Sequence, residues 1–410
     1  MKPNHFVGLD VGSSRVRCVV GMFDQGDGNK PSIIGHGSAV NQGMRKGVPT
    51  HIDDVAEAVV QAITEAERIS GYHINRATVN VNGSHVSGIN SKGVIAISAG
   101  NREIMPEDRY RVEEAATVVQ LPPNREIVQF FAKNYSVDGQ ANIKDPVGMQ
   151  GVRLEVDAHI VTAATPNLRN LSAALEKAEV QPNHYTVSSL AASEAVMSRA
   201  SKEAGTVLLD IGAGTTNLIV VEDGEVQHVA VLPMGGQHIT NDLAIGLKTE
   251  LDIAEKVKVE HATLLKAAKA TASVTLDKQT HSFSMDDVQM IVEARVEEIM
   301  EYADKELQRI HRARKLPGGV IIIGGTAKLP GIAEFARDRL QLSARVGKIQ
   351  GVGGLVDTVE DPAYCTVVGL MLLDMMLLPD VPQLGHGSSA GKAAAGALGM
   401  VEGLFKRFKK

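Results

Sequence analysis

The chain is poor in several residue types on which common protein classes depend. Of its 410 residues only two are cysteine, none is tryptophan and 3% are aromatic. Cys18 and Cys365 each lie in an apolar run. The sequence therefore offers neither a disulfide framework nor a cysteine-based metal site, and we expect a reducing cytosol. A net charge of -6 and so few aromatic side chains argue against a general nucleic-acid binder.

Long apolar runs are also missing. No stretch reaches the roughly 18 apolar residues that span a bilayer, and the first strand begins at about Phe6, so we expect neither a membrane-spanning helix nor a signal peptide. If the protein meets a membrane, it lies on the surface. With 44% hydrophobic and 22% charged residues the composition is that of a globular protein. Its length suits two or more domains of about 100 to 200 residues.

What the chain does have is a repeated turn. The stretch "GLDVGSSRVRCVVG" begins at residue 8, and "LLDIGAGTTNLIVV" begins at residue 208. Each places an aspartate, Asp10 or Asp210, at the end of an apolar strand and follows it with glycine and hydroxyl residues. Either turn alone fits an ordinary hairpin, but two matched turns predict duplicated halves that face one another. Such turns direct N–H groups and hydroxyls at phosphate oxygens, and the aspartates suit a hydrated Mg²⁺ ion.

Helix and strand patterns surround these turns. Apolar residues at helical spacing in "DDVAEAVVQAITEAERISG" predict a helix that Asp53 caps and Gly71 ends. Residues 84–162 differ, with two or three short strands, a helical stretch and a loop rich in proline and asparagine, and we interpret them as an inserted subdomain. A double hairpin follows at 205–236, and helices dominate 239–314.

Two further features are candidates for binding a nucleoside. The glycine turn at 324–326 follows a β-branched strand, and it fits either the close approach of a flat ring or sugar, or an ordinary strand-to-helix connection. In "LDIAEKVKVEHA", we expect Asp252 to cap a helix on which Glu255 and Lys258 share one face. That pair would contact a ribose hydroxyl and an adenine edge, or it is an ordinary solvated helix face.

The C-terminal stretch "GALGMVEGLFKRFKK" predicts a short basic amphipathic helix after a glycine- and alanine-rich linker. Its apolar side would lie among acyl chains and its cations near anionic headgroups. The alternative is a terminal helix that docks on the protein's own surface. The residues concerned are the apolar Leu398, Val401, Leu404, Phe405 and Phe408 and the basic Lys406, Arg407, Lys409 and Lys410.

Together these motifs resemble the phosphate 1, phosphate 2 and adenosine motifs of the actin, sugar-kinase and heat-shock-chaperone ATPase superfamily. Within it, the chain most resembles FtsA, a family of bacterial cell-division actin homologues. The resemblance covers essentially the whole chain, and the stretch at 143–163 is specific because it lies in the insertion that sets this family apart from actin. The supporting stretches are "GMRKGVPTHIDD", "IKDPVGMQGVRLEVDAHIVTA", "SSLAASEAV", "PMGGQHITNDLA" and "PAYCTVVGLM".

The resemblance implies an α/β fold of the actin-like ATPase kind, with two lobes built from duplicated sheet-plus-helix halves and with ATP and Mg²⁺ in the cleft between them. It implies these regions: a first lobe core (1–83, completed by 163–190 and 360–378), the inserted subdomain (84–162), a second lobe core (191–238 and 315–359), a helical subdomain (239–314), a flexible linker (379–395) and a membrane-targeting amphipathic helix (396–410).

The resemblance also implies roles for individual residues. Asp10 and Asp210 would hold the hydrated metal ion at the catalytic centre, and Arg15 would reach a phosphate. Glu194 stands where hydrolytic relatives position the attacking water, although a helix packed at the hinge explains it equally, and we expect at most slow ATP hydrolysis. The phosphates would be bound by Gly12, Ser13, Ser14, Gly212, Ala213, Gly214, Thr215 and Thr216, and the nucleoside by Gly236, Glu255, Lys258, Gly324, Gly325, Thr326 and Ala327.

Members of the family polymerise into actin-like filaments and tether FtsZ, the tubulin homologue, to the inner face of the cell membrane. The resemblance therefore implies self-association, binding of the FtsZ C-terminal tail by the helical subdomain around 239–310, recruitment of later divisome proteins, contact with an anionic membrane surface, and a location at the division site. Two alternatives stay open, a small-molecule kinase of the same superfamily and a PilM-like pilus-assembly ATPase. The sequence contains no substrate motif for the former, and the latter normally lacks a basic amphipathic tail.

Overall fold

The computed structural model describes residues 5–23, 31–98, 100, 102–266 and 269–377. The strands are β1 (Phe6–Val11), β2 (Arg15–Phe23), β3 (Pro31–Val40), β4 (Met44–Arg45), β5 (Val48–Pro49), β6 (Arg76–Val81), β7 (Ser87–Ala96), β8 (Arg125–Val137), β9 (Gln140–Ile143), β10 (Arg153–Ala164), β11 (Gln181–Val187), β12 (Thr206–Ile211), β13 (Thr216–Glu222), β14 (Glu225–Leu232), β15 (Thr271–Leu276), β16 (Gln279–Ser284), β17 (Gly319–Ile323), β18 (Ala344–Val346) and β19 (Gly353–Gly354). The α-helices are α1 (Ile52–Ser70), α2 (Pro106–Thr117), α3 (Thr165–Lys177), α4 (Ser188–Val196), α5 (Arg199–Ala204), α6 (Gly236–Gly246), α7 (Leu251–His261), α8 (Met285–Arg309), α9 (Ile332–Leu340), α10 (Val356–Val359) and α11 (Cys365–Leu377), and 3₁₀ turns cover Gly325–Lys328 and Pro362–Tyr364.

Two sheets with the same strand pattern form the two lobes. The first has the order β11-β6-β1-β2-β3-β19 and the second the order β14-β13-β12-β17-β18. In each, a central strand (β1 or β12) pairs antiparallel with the strand that follows it and parallel with a later strand (β6 or β17). Both central strands are buried along their whole length, as their continuous apolar sequences predict. The predicted duplication into sheet-plus-helix halves is confirmed.

Helices cover both faces of each sheet. α1 and α3 pack on one face of the first sheet, and α6 to α9 pack on one face of the second. The other faces share a single apolar core with α4 and α11, which lie between the sheets. These two helices cross closely, because a Cβ atom on Gly369 would lie only 1.7 Å from the carbonyl oxygen of Ala191. The two lobes therefore meet through a closely packed core, and a residue larger than glycine at position 369 would force α4 and α11 apart.

The chain between β6 and α3 forms a separate four-stranded antiparallel sheet of order β7-β10-β8-β9, with α2 packed on it. β8 is longer than the short strands that the sequence predicts. Although this inserted subdomain branches from the first lobe, it also bonds to the second: Val229 N donates to His159 Nε2 at 3.0 Å, and Lys144 Nζ donates to the carbonyl oxygen of Asp223 at 2.8 Å. Burial lowers the pKa of His159 to about 3, so its ring stays neutral and keeps accepting.

The helical subdomain contains α6, α7 and α8, and α8 buries an apolar stripe along its length. Helices dominate 239–314 as expected, and β15 and β16 add a hairpin there that the sequence does not predict. Ala272 and Val274 point into the core while hydroxyl residues alternate on the exposed side. Asp277 and Lys278 make the turn with positive φ angles of 48° and 68°.

Two predicted helix caps are wrong, and one predicted helix end is confirmed. The N-cap positions of α1 and α7 are His51 and Glu250, so Asp53 and Asp252 lie inside the first turns. In that position their negative charges interact favourably with the positive end of the helix dipole, but these side chains are not the N-caps. Gly71 ends α1 in the left-handed region with φ of 74°, as predicted.

The last turn of α11 is bonded to the first sheet. The buried carboxylate of Asp374 accepts hydrogen bonds from Val7 N at 2.9 Å, Thr78 Oγ1 at 2.7 Å and Asn183 Nδ2 at 2.9 Å. These donors belong to β1, β6 and β11, which are neighbouring strands. One carboxylate therefore joins the C-terminal helix of the described chain to three strands.

Candidate functional site

The β1–β2 and β12–β13 turns have the same hydrogen-bonded form. Gly12 N donates to the carbonyl oxygen of Arg15 at 3.1 Å, and Gly212 N donates to the carbonyl oxygen of Thr215 at 2.9 Å. Both turns end a fully buried strand and begin an antiparallel partner. The repeated sequence motif therefore folds into a repeated structure.

The tips of the two turns meet. A Cβ atom on Gly214 would lie 2.8 Å from Ser13 Oγ and 3.1 Å from the backbone of Lys46, so a larger residue at this position would displace the Ser13 side chain. Gly47 N, in the β4–β5 connection, donates to Ser13 Oγ at 2.9 Å. The structure thus brings the two predicted phosphate turns together, one from each lobe.

The second turn is anchored by the start of α6. The first N–H groups of that helix donate to the carbonyl oxygens of Gly212 and Ala213, both at 2.8 Å. The Thr216 hydroxyl is buried and donates to the carbonyl oxygen of Met234 at 2.9 Å, so this side chain supports the turn from inside the sheet. In the first turn, Ser14 is exposed.

The two aspartates lie behind the turns and are almost buried, Asp10 with 9% and Asp210 with 8% of its surface exposed. Asp10 Oδ1 accepts from Asn80 Nδ2 at 2.8 Å. Asp210 Oδ2 accepts from Thr366 Oγ1 at 3.2 Å and from Asn217 Nδ2 at 3.3 Å. Each carboxylate is therefore held in place by amide or hydroxyl groups.

Burial shifts the pKa of both aspartates upward. It raises the pKa of Asp10 to about 7, an effect that the charge of Arg17 opposes and the charge of Asp210 reinforces. Burial also raises the pKa of Asp210, against hydrogen bonds from Thr366 and Asn217 and the charge of Arg17. A pair of carboxylates that is costly to ionise gains strongly from a cation placed near both.

Arg17 is a residue of the cleft that the sequence analysis misses. It lies opposite Asp10 in the β1–β2 pairing, and its guanidinium carbon is 5.2 Å from the centre of the Tyr364 ring. Its charge acts on both site aspartates and on Asp361, yet its buried Nε donates to no residue in the described part of the chain. Arg15, the predicted phosphate contact, is exposed beside the turn. The hairpin register, which places residue 17 opposite residue 10, is the signal that identifies Arg17.

A polar cluster joins α6, α7 and the third glycine turn. Lys258 Nζ donates to Glu255 Oε2 at 2.6 Å and to Thr240 Oγ1 at 2.9 Å, and the Thr240 hydroxyl also donates to Glu255. Lys258 Nζ also donates to the carbonyl oxygen of Gly236 at 3.2 Å. A Cβ atom on Gly236 would lie 2.6 Å from Thr326 Oγ1. The structure therefore gathers four of the predicted nucleoside residues, and it adds Thr240.

Gly324 connects the third turn to the second aspartate. It has a positive φ of 88°, and a Cβ atom here would lie 2.6 Å from Asp210 Oδ1 and 2.5 Å from the carbonyl oxygen of Ile211. Both the backbone angle and the space require glycine. Around a Cβ atom built on Gly325 there is open space, and Ala327 is buried beneath the turn.

The interpretation of Glu194 as a water-positioning residue does not agree with its contacts. Lys202 Nζ donates to both of its carboxylate oxygens at 2.8 Å. The two side chains are only 5% and 10% exposed, respectively for Glu194 and Lys202. A carboxylate that neutralises a buried ammonium group stabilises the fold, and both of its oxygens are occupied by that contact. The contacts therefore favour the alternative of a helix packed at the hinge.

The predicted linker (379–395) and amphipathic helix (396–410) lie outside the described residues. Within the residues that the structure does describe, no helix combines the length and the apolar character needed to cross a bilayer.

Two family models match the chain. Residues 207–369 match "Cell division protein FtsA", and residues 83–162 match "SHS2 domain inserted in FTSA". Among curated relatives, Cell division protein FtsA of Bacillus subtilis is 38% identical over 373 residues, which cover 89% of this chain and 82% of the relative. The corresponding protein of Pseudomonas aeruginosa is 33% identical over 379 residues, covering 91% and 90%.

Solved structures share the fold at lower identity. A PilM-PilN type IV pilus biogenesis complex matches with a TM-score of 0.65 and 18% identity, covering 90% of this chain and 98% of that chain. MreB5 of Spiroplasma citri bound to ADP matches with a TM-score of 0.56 and 13% identity, covering 92% and 97%. These neighbours establish an actin-like ATPase fold. Because relatives named as cell division proteins share more than 30% identity along about nine tenths of the chain, and both family models match, the chain belongs to the FtsA family of cell-division actin homologues.

Proposed function

We propose that the chain binds ATP with Mg²⁺ in the cleft between its two sheets and that the nucleotide controls self-association into actin-like filaments. One observation carries the proposal: two buried aspartates, each behind a matched glycine turn, converge with Arg17, whose buried Nε donates to no described residue. Turns that present N–H groups, paired carboxylates and an arginine with a buried Nε suit a metal-bound polyphosphate. The neighbour MreB5, whose structure holds ADP, supports the same assignment.

The aspartates fit a hydrated Mg²⁺ ion. Among hydrogen bonds from described residues, Asp10 Oδ2 and Asp210 Oδ1 receive none, because the donors named above use the other oxygen of each group. Mg²⁺ keeps several waters and is held through one or two carboxylates together with phosphate oxygens. Bound there, the ion would neutralise phosphate charge. Asp10 and Asp210 would hold its waters, while Arg17 and the turn N–H groups would hold the phosphates.

The cluster around Lys258 and Glu255 would hold the nucleoside. Glu255 offers a carboxylate to ribose hydroxyls, and the glycine turn at 324–326 allows a ring to approach the backbone. Because Glu194 is bound by Lys202, we propose at most slow hydrolysis. An assembly switch needs only that its two states bind the nucleotide with different affinity.

The wider role proposed here is that of a membrane tether at the division site. The basic amphipathic segment 396–410 would bind the anionic inner face of the cell membrane, and the helical subdomain would bind the FtsZ C-terminal tail and so recruit later divisome proteins. That subdomain carries exposed apolar side chains, with Ile245, Val259 and Met290 exposed by 77%, 73% and 63%. No observation favours the kinase or pilus alternatives, since the pilus complex shares the fold at 18% identity.

Nucleotide binding is tested by titrating Mg-ATP into the purified chain and two matched arginine variants. Charge-assisted hydrogen bonds contribute about 1.5 to 3 kcal/mol, so Arg17→Ala should weaken binding roughly 10- to 150-fold. Arg15→Ala, which removes the exposed arginine of the same strand, should have a much smaller effect. Equal effects of the two substitutions would contradict the assignment of Arg17.

The tether is tested by co-sedimentation with anionic liposomes, with and without Mg-ATP, in the presence of a peptide copying the FtsZ C-terminal tail. The full chain should bring the peptide into the pellet, and dependence on ATP would connect the cleft to assembly. A chain lacking 397–410 is the control and should stay in the supernatant. A truncated chain that still bound the vesicles would remove the proposed tether.

A further inference from the structure

The hydroxyl of Thr215, in the second phosphate turn, is held by a residue of the other lobe. Asn82 Nδ2 donates to Thr215 Oγ1 at 3.1 Å, and the reverse contact through Asn82 Oδ1 is longer, at 3.4 Å. Asn82 Oδ1 also accepts from Gly83 N at 2.6 Å, which fixes the end of the amide that faces the hydroxyl. With Asn82 as its donor, the Thr215 hydroxyl keeps its own hydrogen to donate, and a phosphate oxygen is an acceptor.

The first turn is oriented in the same way by a neighbouring loop. Ser13 Oγ accepts from Gly47 N at 2.9 Å, so its hydroxyl hydrogen is also left to donate. The two supporting loops touch, because a Cβ atom on Gly83 would lie 2.8 Å from the carbonyl oxygen of Gly47. The turns and loops therefore form one closed set of contacts around the proposed phosphate position.

The loop that begins with Asn82 leads directly into the inserted subdomain. Arg125 Nη2, from β8, donates to the carbonyl oxygen of His85 at 2.9 Å and to Thr162 Oγ1 at 2.8 Å. Ala164 N donates to His85 Nδ1 at 3.4 Å. The chain thus enters and leaves the inserted subdomain at one hydrogen-bonded neck, formed by His85, Arg125, Thr162 and Ala164. This neck begins three residues after Asn82.

We infer that Asn82 is a positioning residue through which the nucleotide site acts on the inserted subdomain, an inference that rests on the proposed binding of ATP. A phosphate that accepts from the Thr215 hydroxyl polarises that hydroxyl and strengthens its bond to Asn82, because hydrogen bonds in a chain reinforce one another. The loop 82–85 and the neck are then held more firmly. Bound nucleotide therefore restrains the inserted subdomain, and its loss releases the restraint.

The test measures backbone hydrogen exchange in Ser87–Ala96, the first strand beyond the neck, with and without Mg-ATP. In the wild-type chain Mg-ATP should slow exchange there. Asn82→Ala should abolish that difference and weaken Mg-ATP binding by about two- to tenfold, the worth of one neutral hydrogen bond. Asn82→Asp should weaken binding further, because a carboxylate accepts where the amide donated and turns the Thr215 hydroxyl away from phosphate. The matched control is Asn167→Asp, because Asn167 lines the same small cavity as Asn82 and the substitution adds the same charge. In this variant Mg-ATP should still slow hydrogen exchange in Ser87–Ala96.

Two other outcomes separate this inference from the proposed function. If Asn82→Ala binds Mg-ATP as the wild type does and still shows slowed exchange on binding, the inference is overturned while nucleotide binding stands. If the wild-type chain binds no Mg-ATP, both are overturned. Should the Asn82 variants fail to fold, Thr215→Ser and Thr215→Val replace them: only the serine variant, which retains the hydroxyl, should keep the effect, and an effect kept in both would refute the inference.

Discussion

The variant Glu194→Ala tests whether the buried pair with Lys202 is structural. The substitution takes two carboxylate contacts, both at 2.8 Å, from an ammonium group on a side chain that is only 10% exposed. Removing one partner of a buried ion pair costs about 3 to 5 kcal/mol, because the remaining charge stays away from water. We expect the free energy of unfolding of Glu194→Ala, measured by urea denaturation, to fall by that amount.

A double variant provides the control. Glu194→Leu combined with Lys202→Met removes both charges and should recover most of the lost free energy of unfolding, since apolar residues replace a buried ion pair at little cost. The folded double variant should also retain whatever slow ATP hydrolysis the wild type has. The reasoning is refuted if the free energy of unfolding of Glu194→Ala lies within about 0.5 kcal/mol of the wild-type value, which is the range of ordinary surface substitutions. It is equally refuted if the double variant is stable but loses that hydrolysis.

Three further predictions concern the cleft and the inserted subdomain. The pKa of Asp10 is raised from 3.8 to about 7, so without nucleotide the folded chain holds a proton that the unfolded chain releases. The free energy of unfolding should therefore fall from about pH 4 to about pH 7, and Asp10→Asn should reduce that fall in urea titrations; an unchanged slope would contradict it. Gly324→Ala places a methyl group 2.6 Å from Asp210 Oδ1, and loss of Mg-ATP binding by the folded variant is expected, whereas normal binding would argue against the site. His159→Phe leaves Val229 N without its acceptor, which should cost about 1 to 3 kcal/mol and speed exchange of that amide; unaltered exchange would count against the contact.

Local patterns are enough to predict the twin hairpins. Asp10 and Asp210 end continuous apolar strands, and the glycine and hydroxyl residues that follow leave few structures other than a tight turn. The hairpin β15–β16 is not predictable in the same way. Its exposed side carries serine and threonine, and its buried side in β15 offers only Ala272 and Val274, too little apolar surface to distinguish a strand from a polar loop.

The site itself depends on contacts between segments that are distant along the chain. Sequence reasoning finds the glycine turns because their composition is unusual, but Arg17 becomes a cleft residue only through its strand register, and Thr240 only through the packing of α6 against α7. Likewise the helix that carries Glu194 gives no sign of its partner, because Lys202 belongs to the next helix. Asn82 reaches Thr215 across the cleft between lobes, so no local pattern predicts that bond.

The carboxylate of Asp374 has a mechanical consequence. Anything attached beyond Leu377 pulls on the end of α11, and the carboxylate in the last turn of that helix passes the pull to three neighbouring strands at once. Two of them, β1 and β6, lie inside the sheet and are hydrogen-bonded to a neighbouring strand on each side. A force on α11 is therefore distributed over several strands and does not act on a single edge strand. The first lobe is therefore suited to carry a load that is applied at the C-terminal end of α11.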